Sequence, residues 1–382
     1  MIDLTDVAVI DNHCHAVEAA LANDVARWRQ YFTESPDPVM REHDSAHTAF
    51  YRGLIRALAA FHQVEPTEDA VLHARANHSA EALVAALFRD AHIGGVVIDT
   101  GYPTPAQAMA PPAFAAASGA RQGRLLRLEL LFQELVVEHA SYGQLVDAVP
   151  DRLADLRAAG YVGLKSIVGY RTGLAIERWP EPEARAAFSR ARAEVDANGS
   201  VRLGHKPLLD TLLHLALATA AAQELPVQFH VGYGDPDVDL RKAAPLQLRA
   251  VLEERAYRSV PIVLLHGCWP YFREGAYLAS VYGNAYLDLS YAIPFLSLKE
   301  LTSMTRAALG TAPFTKLMYS SDGARVPELH WLGAKQGRVA IGTVLGELVT
   351  DGALDADEAR TAGEWILRDN AARVYGLLPG PR

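Results

Sequence analysis

Two histidines one residue apart, in Asp11-Asn12-His13-Cys14-His15, close the apolar run Val7-Ala8-Val9-Ile10. Successive side chains of a strand point to opposite faces. His13 and His15 therefore project to one side and are able to hold one metal ion together. Asp11 shares that face, while Asn12 and Cys14 look away. Imidazole nitrogens suit zinc and neighbouring first-row metals. A lone His-x-His says little. It gains weight because three more strand-like runs end in a potential ligand: Gln228-Phe229-His230, Leu264-Leu265-His266 and Tyr319-Ser320-Ser321-Asp322.

Positioning such residues together is the task of the elements that carry them. Short apolar runs rich in β-branched residues recur at Val7–His15, Gly95–Thr100, Leu125–Leu131, Val162–Val168, Val227–Val231, Ile262–His266, Ala285–Ser290 and Leu317–Asp322. Their near-continuous hydrophobicity suits parallel strands covered by helices. Eight strands alternating with helical patterns predict an α/β chain folded as a (β/α)8 TIM barrel. Helical signals include Ser141-Tyr142-Gly143-Gln144, opening a segment with Leu145 and Val149. Pro150 then starts a second segment, with Leu153 and Leu156 on one face, which Ala159-Gly160 closes. Pro245 stands at a first helical position ahead of Leu252, and Ser297 to Leu309 separates the last two strands.

Two stretches exceed a minimal barrel. About eighty residues part the first two strands, where βα loops usually have about 2–6. Val17–Phe32 and Glu68–Ala91 look helical, which predicts a helical insertion over about 17–92. Thr104–Ala120, rich in Ala and Pro, is the candidate for a flexible lid or surface excursion. Asp355–Tyr375 reads as a helix followed by a short terminal one. No linker divides the chain, so 1–382 is expected to be a single barrel domain.

Composition narrows the function. The 382 residues are half apolar, and 45 acidic residues against 36 basic ones give a net charge of -9. No basic stripe with interleaved aromatics suggests nucleic acid as a partner. Leu212 to Ala222 is too short to span a membrane and contains His214. Met1 to Asp6 lacks the pattern of a signal peptide. Cys14 and Cys268 are too few for a disulfide framework, which fits a reducing compartment. The expectation is a cytoplasmic protein acting on a small molecule, with a homo-oligomer left open.

In barrels of this type active sites form at the C-terminal ends of the strands. His13 and His15 on strand one, Lys165 on four, His230 on five, His266 on six and Asp322 on eight all stand at or near such ends. The set resembles the amidohydrolase superfamily, in its amidohydrolase 2 branch, and within it FluG-type domains that include γ-glutamyl-amide hydrolases. The residues that carry the resemblance are Asp11 to His15, Gly163-Leu164-Lys165-Ser166-Ile167-Val168-Gly169-Tyr170-Arg171, Gln228 to Asp235, Val263-Leu264-Leu265-His266-Gly267, Ser320-Ser321-Asp322 and the ending Arg368 to Gly376. The resemblance implies His13, His15 and His230 as nitrogen ligands of a divalent metal (zinc first, then manganese or iron), with Asp322 adding a carboxylate. A metal with an open position lowers the pKa of bound water from about 15.7 to about 7. Asp322 then accepts a proton and delivers it to the leaving group. In mononuclear relatives the residue matching His266 polarises the substrate carbonyl. In binuclear ones it binds a second metal, bridged by a carbamylated lysine where Lys165 stands. Both versions stay open, one ion or two. Unmodified, Lys165 neutralises a substrate carboxylate.

Plainer readings compete. His62, His205 and His214 are taken as structural, and Asp322 has a helix N-cap as its alternative. Asp11 is an orienter, a minor ligand or a structural acceptor. Tyr170, Arg171 and Arg325 are candidate substrate contacts, the arginines as bidentate carboxylate clamps. Arg127 and Glu129, alternating on strand three, are expected to pair beneath the site. Tyr102, Trp269 and Tyr271 line a pocket or cover the rim. The expected reaction is hydrolysis of a carboxamide, a γ-glutamyl or related carboxylate-bearing amide. Its rivals are a metal-dependent decarboxylase of a small unsaturated or aromatic acid, and a degenerate barrel serving as an interaction module.

Overall fold

The computed structural model describes residues 1–377. Its eight strands are β1 (Val9–His15), β2 (Ile93–Asp99), β3 (Arg121–Arg127), β4 (Tyr161–Ser166), β5 (Val227–Phe229), β6 (Ile262–Leu264), β7 (Ala285–Ser290) and β8 (Leu317–Ser320). They follow one another in a single sheet, β1 to β8 in chain order, forming a nearly closed parallel barrel with helices between the strands. This is the (β/α)8 TIM barrel expected from the alternating pattern. Helical crossovers cover such strands on their outer side, which is why their sequences are apolar almost without interruption. Among the described residues no helix is long and apolar enough to cross a membrane.

The chain divides into two compact units. The first comprises Met1–Gln122, Gly234–Pro236 and Asp288–Arg382. Between β1 and β2 it carries five α-helices: Val25–Arg29, Pro38–Glu42, Ala49–His62, Glu68–Arg75 and Ala80–Asp90. Residues 17–24 are not helical, contrary to the reading of Val17–Phe32. Val17 and Glu18 instead bridge to Arg325 and Ala108. The helix Ala49–His62 buries Phe50, Tyr51, Leu54, Ile55 and Leu58 along one stripe. Thr48 caps its start, accepting from the Tyr51 amide, and Gln63 in the left-handed region ends it. Helix Glu68–Arg75 is tied down by a buried ion pair. Arg75 Nε donates to Glu328 Oε1 at 2.5 Å, with neither side chain exposed. Glu328 lies on the 24-residue helix Pro327–Thr350 that follows β8. Thr104–Ala120 is less loose than a lid: Met109 donates to the Val17 carbonyl at 2.7 Å and Ala19 to that of Gln107 at 2.9 Å. Helix Pro111–Ser118 then buries Phe114.

The second unit comprises Gly123–Tyr233 and Asp237–Leu287. Strand three ends at Arg127, and Leu128–Glu138 is a helix rather than a continuation of the strand. Glu129 therefore sits in a first helical turn and does not alternate with Arg127 on a strand face. Pro150 lies inside helix Tyr142–Arg152, in its last turn, and starts no new helix. Asp210, fully buried on helix Lys206–Gln223, accepts from the Glu177 amide and the Trp179 indole and pairs with Lys206 at 2.7 Å. It fastens the segment that follows β4.

Candidate metal centre

In the first unit β1 departs from simple alternation. Asp11 pairs with Val96 and Cys14 with Ile98, so three steps on β1 meet two on β2. The extra residue is a β-bulge. It turns Asp11 toward the end of β8, where its carboxylate accepts from the Ser321 amide at 2.9 Å and from the Ser321 hydroxyl. The His13 amide also donates to Asp11, at 3.3 Å. Of the three roles open to Asp11, that of structural acceptor is the one these bonds describe. Burial pushes its carboxyl up to about 8, against the pull of Ser321.

The same lacing brings three expected ligands together. The Asp322 amide donates to the His13 carbonyl at 3.1 Å, and the His15 amide to the Gly323 carbonyl at 2.8 Å. The rings of His13 and His15 meet edge to face, 5.0 Å between centroids. Asp322 Oδ1 stands 3.4 Å from His13 Nε2 and 3.6 Å from His15 Nε2. These are long for hydrogen bonds. They fit two donors sharing one tetrahedral ion, since bond lengths of about 2.05 Å place neighbouring ligand atoms about 3.3–3.4 Å apart. His15 Nδ1 is buried without a hydrogen-bond partner among the described residues. Asp322 itself has φ +55°. A non-glycine residue held there is strained, and such strain concentrates at functional sites.

Sequence reading missed Asp99 and His330 beside this group, and the Tyr102 and Arg325 that it named stand there as well. Asp99, at the end of β2, offers an oxygen within 4.8 Å of ring nitrogens of His13 and His15. Its signal was available, because Val96-Val97-Ile98-Asp99 is an apolar strand ending in an acid. His330, on the helix after β8, directs Nε2 at the His15 carbonyl, 3.1 Å away. Tyr102 places its ring 5.6 Å from that of His15. Arg325 is engaged by Glu18: Nε donates to Oε1 at 2.6 Å, with the guanidinium 4.6 Å over the Tyr31 ring.

In the second unit His230 and His266 face each other, Nδ1 to Nε2 at 3.0 Å. His230 Nε2 lies 2.6 Å from the Tyr233 carbonyl, which only accepts, so that nitrogen carries the proton. Nδ1 is then left with its lone pair aimed at His266. Tyr170 packs on the His230 ring, 4.5 Å between centroids. His266 has φ +64° and Cys268 φ +56°, a second strained strand end. The Tyr233 amide donates to the Trp269 carbonyl at 2.8 Å, joining the segments after β5 and β6. Lys165 is 1% exposed on β4, in register with Arg127 and Gln228. Glu129, fully buried, accepts from the Ser166 hydroxyl at 2.7 Å and the Ile167 amide at 3.0 Å, fixing the turn after β4. Arg171 follows that turn. Its Nε and the neighbouring Thr172 hydroxyl are buried without hydrogen-bond partners among the described residues.

His214 pairs through Nδ1 with the Tyr257 hydroxyl at 2.9 Å, and His205 lies 3.2 Å from Glu194. His62 meets Phe61 edge to face and lies tilted against His78. These three stand apart from either cluster.

Residues 10–377 match the family model described as amidohydrolase. Protein fluG of Emericella nidulans is 35% identical over 241 residues, which is 61% of this chain and 27% of that protein. The chain thus corresponds to about a quarter of that relative's length. A crystal structure of a Lactobacillus casei protein assigned to the metal-dependent hydrolases is 28% identical and superposes with a TM-score of 0.86, covering 99% of this chain and 98% of the other. Uronate isomerase of Thermotoga maritima, 13% identical, covers 97% of this chain and 95% of its own with a TM-score of 0.71, a likeness of fold alone.

Proposed function

The chain belongs to the amidohydrolase family, and on that premise we propose that it hydrolyses a small carboxamide with the help of a divalent metal. The observation that carries the reading is the shared distance from Asp322 Oδ1 to His13 Nε2 and His15 Nε2, 3.4 and 3.6 Å. Two imidazoles and a carboxylate form a donor set suited to zinc, manganese or iron. The family pattern adds His230, which ends the fifth strand, as the further nitrogen, through Nδ1, since Nε2 donates to the Tyr233 carbonyl.

When bound, such an ion acidifies a water molecule and polarises a carbonyl. The remaining work belongs to the chain. Asp322 takes a proton from the attacking water and returns it to the departing nitrogen, so that the amine leaves neutral. His266 stabilises the negative charge that grows on the carbonyl oxygen. Lys165 and Arg171 meet the substrate carboxylate. Arg171 is suited to this because burial without an acceptor on Nε favours an incoming anion. Tyr170, Tyr102 and Trp269 flank the substrate, and Arg325, braced by Glu18, orients the segment after Asp322. γ-Glutamyl amides, which carry both a carboxylate and the scissile amide, are the first substrates of this reading.

In a binuclear version Lys165 is carbamylated and His266 is a ligand; His230 Nδ1 and His266 Nε2, which meet at a hydrogen-bond distance of 3.0 Å, would then part to ligand spacing.

The test offers the metal-loaded protein γ-glutamyl amides and, separately, small unsaturated and aromatic acids. Release of amine or ammonia is expected. Release of carbon dioxide from the acids, with the amides untouched, would replace hydrolysis by decarboxylation.

A further inference from the structure

Asp99 is a carboxylate that the reaction above leaves unused. It ends β2 and is fully buried. The register of the first two strands decides what it stands beside. Asp11 lies opposite Val96, and that pairing continued one for one would set Asp99 opposite Cys14, whose side chain points away from that of His15. The bulge on β1 shifts the register by one, so that Cys14 lies opposite Ile98 and His15 opposite Asp99. A shift of one residue exchanges the faces of a strand. The bulge therefore brings Asp99 beside His15 on the ligand face. An oxygen of Asp99 lies within 4.8 Å of ring nitrogens of both His13 and His15. Closure by at most about 1.4 Å reaches the ~3.4 Å between adjacent ligand atoms of a tetrahedral ion.

A plainer role accounts for only part of this group. The Gly101 amide donates to Asp99 Oδ1 at 3.0 Å and closes a turn, as Asp and Asn side chains commonly do. That bond needs one oxygen and no charge. A fully buried carboxylate is costly unless it is paired or coordinates a metal. Asparagine would close the same turn without that cost.

We propose that Asp99 is a ligand of the metal ion, joining His13, His15 and Asp322 in a set of two nitrogens and two carboxylate oxygens drawn from β1, β2 and the end of β8. The assignment rests on the metal-centre reading of His13, His15 and Asp322, and not on an amide as substrate.

Zinc and cobalt affinities of the full chain are measured by competition with a chromophoric chelator. The visible bands of the protein at saturating cobalt record the type and number of ligands. Asp99→Asn keeps the turn and removes the charge. It should weaken both metals by more than about 100-fold, beyond the roughly 10- to 100-fold that loss of a partner behind the ligands costs. It should also shift the cobalt bands and leave the metal-free protein no less stable to heat. Asp99→Ser, whose hydroxyl also closes the turn, should do the same and serves if the asparagine variant does not fold. Unchanged affinity, or unchanged cobalt bands, would overturn the assignment, as would a wild type that takes up neither metal. Amide turnover separates the two claims. Cleavage by the wild type with unchanged bands in the variants leaves the hydrolase reading and removes the ligand. Weakened metals and shifted bands with no amide cleaved keep the ligand and remove the hydrolase reading.

Discussion

His330 makes stability depend on pH through a single buried ring. It is wholly buried and lies between two carbonyl oxygens, those of His15 at 3.1 Å and Val326 at 3.3 Å. Burial drives its pKa down to about 4, from 6.5 in the unfolded chain, outweighing those two acceptors. The folded state therefore keeps the ring neutral, and below pH 6.5 the unfolded chain takes up the proton first. Its stabilisation is present in full above that pH and is lost as pH falls from 6.5 toward 4. Between pH 7.5 and 5.0 the loss is about 2 kcal/mol. Urea unfolding of wild type and His330→Gln at both pH values measures it, because the glutamine keeps an amide donor but cannot titrate. The wild type should lose about 2 kcal/mol more than the variant on acidification. Equal losses would refute the reasoning, since the remaining titrating groups are common to both proteins.

The Arg75–Glu328 pair offers a second test, of how the helices after β1 are held to the helix after β8. Arg75→Met should cost about 3–5 kcal/mol, because it strands Glu328 without a counter-charge where neither is exposed. The double variant Arg75→Met, Glu328→Leu should recover most of that stability, and denaturant midpoints of the three proteins check both expectations.

Much of this barrel is legible in its apolar runs. The run Ala285–Ser290 is β7 to the residue, and every other strand overlaps its run. Errors fall where local pattern is silent. Leu128 to Leu131 continues the apolar character of β3 with no turn residue between, yet a helix starts there without a side-chain cap. The helix Pro327–Thr350 went unseen because it is buried on most of its circumference, which blurs a helical stripe. At the metal centre His13, His15 and Asp322 were readable as residue types at strand ends. The bulge between Asp11 and Cys14 was not, because strict alternation is assumed when a strand is read from sequence. His330 carries no local signal at all and reaches the site only through a tertiary contact, with the His15 carbonyl.

Metal content per chain, by elemental analysis of protein purified without added metal or a histidine tag, tests the central claim most directly. The account predicts at least about one zinc, manganese or iron per chain, lost in His13→Ala and in His15→Ala. About two would identify the binuclear version, with Lys165 carbamylated and His266 a ligand. A protein that contains no metal and takes up none on reconstitution would contradict the account.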